Sequence, residues 1–170
     1  MNARATLSNC PMTLEPRDAE RLAEAFAMAS AAHAGQVDKG GFPYIWHPVR
    51  VAHIVAKRGF GIDEQIVAML HDVIEDADVE PELVEAVFGP IVARAVLDVT
   101  RRADEPYDAF IERVYSAGPI ARAVKLADLA DNIDPYRPAF RNEDFATRGK
   151  RQARYFRALH YLQTGKYWGK

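Results

Sequence analysis

Cysteine is almost missing from this chain. The single thiol, Cys10, lies in an irregular N-terminal stretch, which excludes an internal disulfide and a cysteine-based zinc cage. Long apolar runs are missing as well: charges interrupt every apolar stretch well before the roughly 20 residues that a membrane-spanning helix needs. The N-terminus lacks a charged start followed by an apolar signal core, so no export signal is read there. Neither sign of charge dominates. The 22 Lys and Arg face 24 Asp and Glu, a formal net charge of −2, which excludes a globally basic nucleic-acid or membrane surface and requires local cations for any anionic ligand. Strand-like alternation, repeats and low-complexity tracts are also absent. The expectation is a soluble cytoplasmic protein with no nucleic-acid or membrane partner; its oligomeric state is left open.

What remains is helical. At 170 residues the chain suits one domain, with residues 1–13 as a loose leader and 14–170 as the folded unit. Residues 15–34 place Leu22, Ala25, Phe26, Ala29 and Ala32 on one stripe of a long helix. Gly35, Gly40, Gly41 and Pro43 then mark a surface loop. A second helix starts near His47-Pro48 and stops at Gly59. Asp63 suits a helix N-cap before Ile66, Val67, Leu70, Val73 and Ile74, a helix read as continuous through Asp76. Further helices are predicted over residues 81–88, 90–101, 107–115, 120–132 and 149–163, with 134–148 irregular. The fold class is therefore all-α, a single bundle of seven or eight helices.

Two places combine apolar helix with acid. His71, Asp72, Glu75 and Asp76 close an apolar run, and Asp128, with Asp131 further along, sits between Ala127 and Leu129 in an Ala/Val/Leu-rich helix. Buried carboxylates require pairing or a metal. Taken alone, the first group is equally consistent with a solvated helix end, although the helix dipole disfavours acids there. With His47, which precedes a proline after the Gly-rich loop, the set His47, His71, Asp72 and Asp128 offers mixed nitrogen and oxygen ligands. Such a set suits Mn²⁺, Fe²⁺, Zn²⁺ or Mg²⁺ with positions open to water.

The order His47, then His71-Asp72, then Asp128 resembles the signature of HD-domain metal-dependent phosphohydrolases. Three extended blocks, at residues 33–48, 70–76 and 124–132, resemble the hydrolase domain of RelA/SpoT-type alarmone enzymes and the stand-alone small alarmone hydrolases, over about residues 18–163. The resemblance implies one Mn²⁺ on His47, His71, Asp72 and Asp128. It also implies Glu75 and Asp76 as the residues that activate or orient water, Glu75 foremost, and release of the 3′-pyrophosphate from (p)ppGpp. Lys39, Lys125 and Asn132 match family positions for substrate binding; Arg101-Arg102 and the 148–154 cluster are further cations, the latter expected to be a solvated face. Tyr155 and Phe156 are expected to pack, His33 and Gln36 to shape the loop, and His53 and His160 to be structural.

Three departures stand out. Asp38 replaces an arginine that packs on guanine in the long enzymes, and a carboxylate cannot make that contact. Leu129 and Asp131 replace an arginine and a histidine of the late motif. At this length no synthetase domain is expected beside the hydrolase. An HD phosphohydrolase for another phosphorylated nucleotide and a non-catalytic nucleotide-binding module are the competing readings.

Overall fold

The computed structural model describes residues 15–137 and 144–167; the leader and Cys10 lie outside the described residues. Among them are nine helical segments: α1 Pro16–Ala32, α2 Trp46–Lys57, α3 Ile62–Leu70, α4 Val73–Ala77, α5 Pro81–Phe88, α6 Pro90–Val99, α7 Tyr107–Ala117, α8 Pro119–Ile133 and α9 Phe145–Thr164. The only β pairing described is an isolated bridge, Val37 to Pro43, that closes the Gly-rich loop. The all-α class holds.

The predicted helix through Asp76 is broken. α3 stops at Leu70, His71-Asp72 form a turn, and α4 resumes at Val73. His71 supplies the cause: its Nδ1 lies 2.8 Å from the Ala68 carbonyl, the oxygen that the Asp72 amide would bond in a continuous helix. His71 and Asp72 are thus presented by a turn and not by adjacent positions on a helix.

Two boundaries also differ. Asp63 is no N-cap; Gly61 fills that position, and Asp63 pairs with Arg21 of α1 at 2.7 Å. α9 begins four residues before Gly149, because the Asp144 carboxylate accepts the Thr147 amide and caps the first turn.

α3 lies at the centre, packed against α1, α2, α6 and α8. Ile66, Val67, Ala68 and Leu70 are fully covered, and each large apolar side chain so buried contributes roughly 1.5–3 kcal/mol. This apolar rod fixes the position of the turn at its end.

The loop from α6 to α7 hangs on Arg113. Its guanidinium donates to the carbonyls of Asp98 and Thr100 at 3.0 and 2.8 Å and to both oxygens of Glu105 at 2.8 and 2.9 Å. Arg113→Ala is expected to destabilise by roughly 2–3 kcal/mol, since several hydrogen bonds to a charged group are lost together; urea unfolding measures it. Arg113 also holds the Glu105 carboxyl down to about 2, against an ordinary value of 4.5. A depressed carboxyl stabilises above its unfolded pKa, so this contribution is complete above about 4.5 and is lost as pH falls toward 2.

Candidate metal centre and active-site cleft

Three helix-borne segments bring the predicted ligands together. His47 sits in the first turn of α2, His71 and Asp72 in the α3–α4 turn, and Asp128 in the middle of α8. His47 Nε2 lies 3.2 Å from Asp128 Oδ1 and 3.6 Å from Asp72 Oδ2; His71 Nε2 lies 3.8 and 3.1 Å from the same atoms. Donor atoms of His47, His71 and Asp72 all fall within 4.8 Å of one another. Asp128 stands outside that mutual group while contacting both imidazoles. Bonds of about 2.0–2.2 Å to one cation would set neighbouring ligand atoms about 3–4 Å apart.

The donor set fits a divalent cation. His71 gives its Nδ1–H to Ala68, which leaves Nε2 as the atom that takes either a proton or a cation, and that buried atom has no hydrogen-bond partner among the described residues. Lone pairs this close to carboxylate oxygens repel unless a proton or cation is shared. Charge balance agrees: Lys125 Nζ pairs with Asp128 Oδ2 at 2.8 Å, and Arg50 and Arg137 pair with Asp131. Asp72 has no Lys or Arg partner among the described residues. Burial pulls the His71 imidazole down, yet the Asp72 and Asp128 carboxylates outweigh it and hold it at about 10. The field that draws a proton there also draws a cation.

The surrounding residues orient these groups. Asp131 Oδ2 accepts from His47 Nδ1 at 2.7 Å, while its Oδ1 accepts Arg50 Nε at 2.5 Å. Burial pushes the Asp131 carboxyl up, but the His47 and Arg50 hydrogen bonds prevail and keep it low. Tyr44, largely covered, donates to Asp72 Oδ2 at 2.6 Å and lies 3.2 Å from Asp76 Oδ2. Asn132 Nδ2 donates to Asp128 Oδ1 at 2.5 Å. Glu75 Oε2 accepts the Arg101 amide at 2.9 Å. Burial and the Asp72 charge raise the Glu75 carboxyl, opposed by that amide and by Lys125. Asp76 is raised by burial and by Asp72, with its bond to Tyr44 opposing.

A cleft of about 430 Å³ opens over this cluster, with His47, Asp72, Glu75 and Asp128 in its wall. Six basic side chains line it, Lys39, Arg101, Lys125, Arg137, Arg151 and Arg154, against four carboxylates. That is the local positive surface that a chain of net charge −2 needs for an anionic ligand. Residues 148–154 keep the expected solvated face, with Gly149, Lys150, Ala153 and Arg154 exposed, and Arg151 and Arg154 also line the cleft, Arg154 stacking 4.7 Å over the Tyr107 ring. Tyr155 both packs on the core and lines the cleft. Phe156 is about half exposed.

The predicted substrate groups all reach the cleft but differ in what else they do. Lys39 is exposed in the Gly-rich loop. Asp38 Oδ1 accepts the Gly40 and Phe42 amides and so shapes that loop. Lys125 and Asn132 both hold Asp128, and Leu129 lies in the apolar core. His33 bonds Gln36, which donates to the Asp76 carbonyl and ties the loop to α4. Asp76 is not part of the cleft wall, and His53 is exposed. Tyr44, Arg50 and Arg137 were not singled out from sequence; their roles come from contacts 28 to 81 positions away or from a loop beyond α8.

A helical domain with this His and Asp cluster belongs to a recognisable class. A family model described as HD domain matches residues 25–109, and the chain belongs to that family. It is 44% identical over 124 residues to the guanosine-3′,5′-bis(diphosphate) 3′-pyrophosphohydrolase of Vibrio cholerae, covering 67% of this chain and 18% of that protein. It is 37% identical over 117 residues to the Danio rerio protein of the same name, MESH1, covering 66% of this chain and 65% of that one. The match to the bacterial relatives thus spans under a fifth of their length. A solved structure titled as a metazoan ortholog of SpoT that hydrolyzes ppGpp superposes with a TM-score of 0.75 at 25% identity, over 87% of this chain and 88% of that one.

Proposed function

We propose that the chain hydrolyses (p)ppGpp to GDP or GTP and pyrophosphate, with Mn²⁺ as the cation. The observation that carries this is the convergence of two imidazole Nε2 atoms with Asp72 and Asp128 beneath a cleft rich in cations. The names of the relatives add support. His47, His71, Asp72 and Asp128 are the residues that hold the cation. When bound, it supplies Lewis-acid chemistry, acidifying water and withdrawing charge from a phosphoryl oxygen.

The remaining work falls to the chain's own groups. Water oxygen joins the phosphorus next to the ribose, the 3′-oxygen–phosphorus bond breaks, and the 3′-oxygen takes a proton from solvent to become the free hydroxyl of the nucleotide product. Glu75, with its raised carboxyl at the cleft wall, takes the proton from water, and Tyr44 steadies Asp72, with Asp76 beside the same hydroxyl. Lys39, Arg101, Arg151 and Arg154 offset the phosphate charge. No described helix is long and apolar enough to cross a membrane, and the cytoplasm is the compartment we assign.

A second reading keeps the cation and changes the nucleotide. It is favoured by Asp38, whose carboxylate is engaged with its own loop and offers no guanidinium to a guanine face. Comparing ppGpp with its adenine analogue and with other 3′-phosphorylated nucleotides decides between them: preference for ppGpp by kcat/KM supports the first reading, and preference for another nucleotide replaces it with the second.

A further inference from the structure

Asp131 takes no part in the reaction above and departs from the family's late motif, yet it is 2% exposed. A buried carboxylate persists only with compensating charge and hydrogen bonds. Arg50 supplies Nε to Oδ1 at 2.5 Å and Nη2 to Oδ2 at 3.2 Å, and Arg137 Nη1 reaches Oδ2 at 3.2 Å. Two guanidiniums already neutralise it. The third contact, His47 Nδ1 at 2.7 Å, therefore does something else: it fixes the ring. With Nδ1–H donating to Asp131, the neutral ring turns its Nε2 lone pair toward Asp72 and Asp128.

We infer that Asp131, clamped by Arg50 and Arg137, is a positioning residue that sets the tautomer, orientation and donor strength of His47, and hence cation affinity. The inference rests on reading His47 as a cation ligand. The two imidazoles are then unequal. His71 leans on a neutral carbonyl, Ala68, while His47 leans on an anion, and an anionic acceptor makes an imidazole the stronger ligand. The clamp also closes on itself: Arg137 Nη1 donates to Asn132 Oδ1 at 2.6 Å, and Asn132 holds Asp128. One hydrogen-bonded circuit thus joins His47 and Asp128, and Arg137 carries it to the cleft wall.

The test compares wild type, Asp131→Asn and Asp131→Ala. Calorimetric titration gives Mn²⁺ affinity, and long-range proton–nitrogen NMR of the metal-free proteins at alkaline pH gives the tautomer of the neutral His47 ring. Asp131→Ala is expected to weaken Mn²⁺ binding roughly 10- to 100-fold and to abolish the single Nδ1–H tautomer. Asp131→Asn retains an acceptor, so it should restore the tautomer while leaving affinity below wild type. Should Asp131→Ala lose its helicity, the Asn variant decides: affinity equal to wild type overturns the inference. Equal affinity in a folded Asp131→Ala overturns it as well. If wild type itself binds no cation, the metal-centre reading falls and this inference with it, whereas cation binding unchanged in both variants refutes the positioning role alone.

Discussion

Asp72→Asn is expected to yield a folded protein that no longer retains a divalent cation and has lost at least about a thousandfold in hydrolysis rate. The substitution conserves shape, and the side-chain oxygen can still accept from Tyr44. Of the two proposed carboxylate ligands, it removes the one without a Lys or Arg partner among the described residues, the charge that the cation would answer. Several kcal/mol of transition-state stabilisation attach to such a cation, and each 1.36 kcal/mol is about tenfold in rate. Thermal melts separate this from a folding defect. A ligand present at about 100 times its Kd stabilises the folded state by about 2.7 kcal/mol, so metal raises the wild-type midpoint. In Asp72→Asn that rise should vanish while the melt in chelator stays cooperative.

Glu75→Gln is expected to lower turnover by roughly 10²- to 10⁴-fold, the usual value of a positioned general base, with cation content unchanged. Glu75 lines the cleft beside the proposed ligands but differs from them in its partner, the Arg101 amide. Its pH signature has a definite sign. A base works only when deprotonated, and burial with the Asp72 charge raises this carboxyl above its ordinary value. Wild-type rate should therefore climb as pH rises through that raised value, and the Gln variant should lose this acidic limb. Unaltered turnover in Glu75→Gln would remove the assignment and leave Asp76 as the candidate. Loss of turnover with the cation retained also separates an enzyme from a nucleotide-binding module.

α8 was the most legible part of the site. A carboxylate between Ala127 and Leu129 in an apolar helix announces its own need for a partner, and Lys125, Asp128 and Asn132 follow at helical spacing. The helix order was legible for the same reason, since apolar periodicity and Pro or Gly punctuation are local. The break at His71 was not. It depends on a ring N–H taking the Ala68 carbonyl, a competition that apolar spacing does not register. Asp131 read as a loss from the family motif because its partners, His47 and Arg50, are more than 80 positions distant. For the cations of α9, composition marks the basic face that is exposed, while packing against α7 and α8 brings Arg151 and Arg154 to the cleft.

The central claim is metal-dependent removal of the 3′-pyrophosphate, and product analysis tests it most directly. Protein loaded with Mn²⁺ and incubated with ppGpp should release GDP and pyrophosphate in equal amounts, with release abolished by chelator and restored by added Mn²⁺. Full cation occupancy without turnover, or release of orthophosphate in place of pyrophosphate, would contradict it.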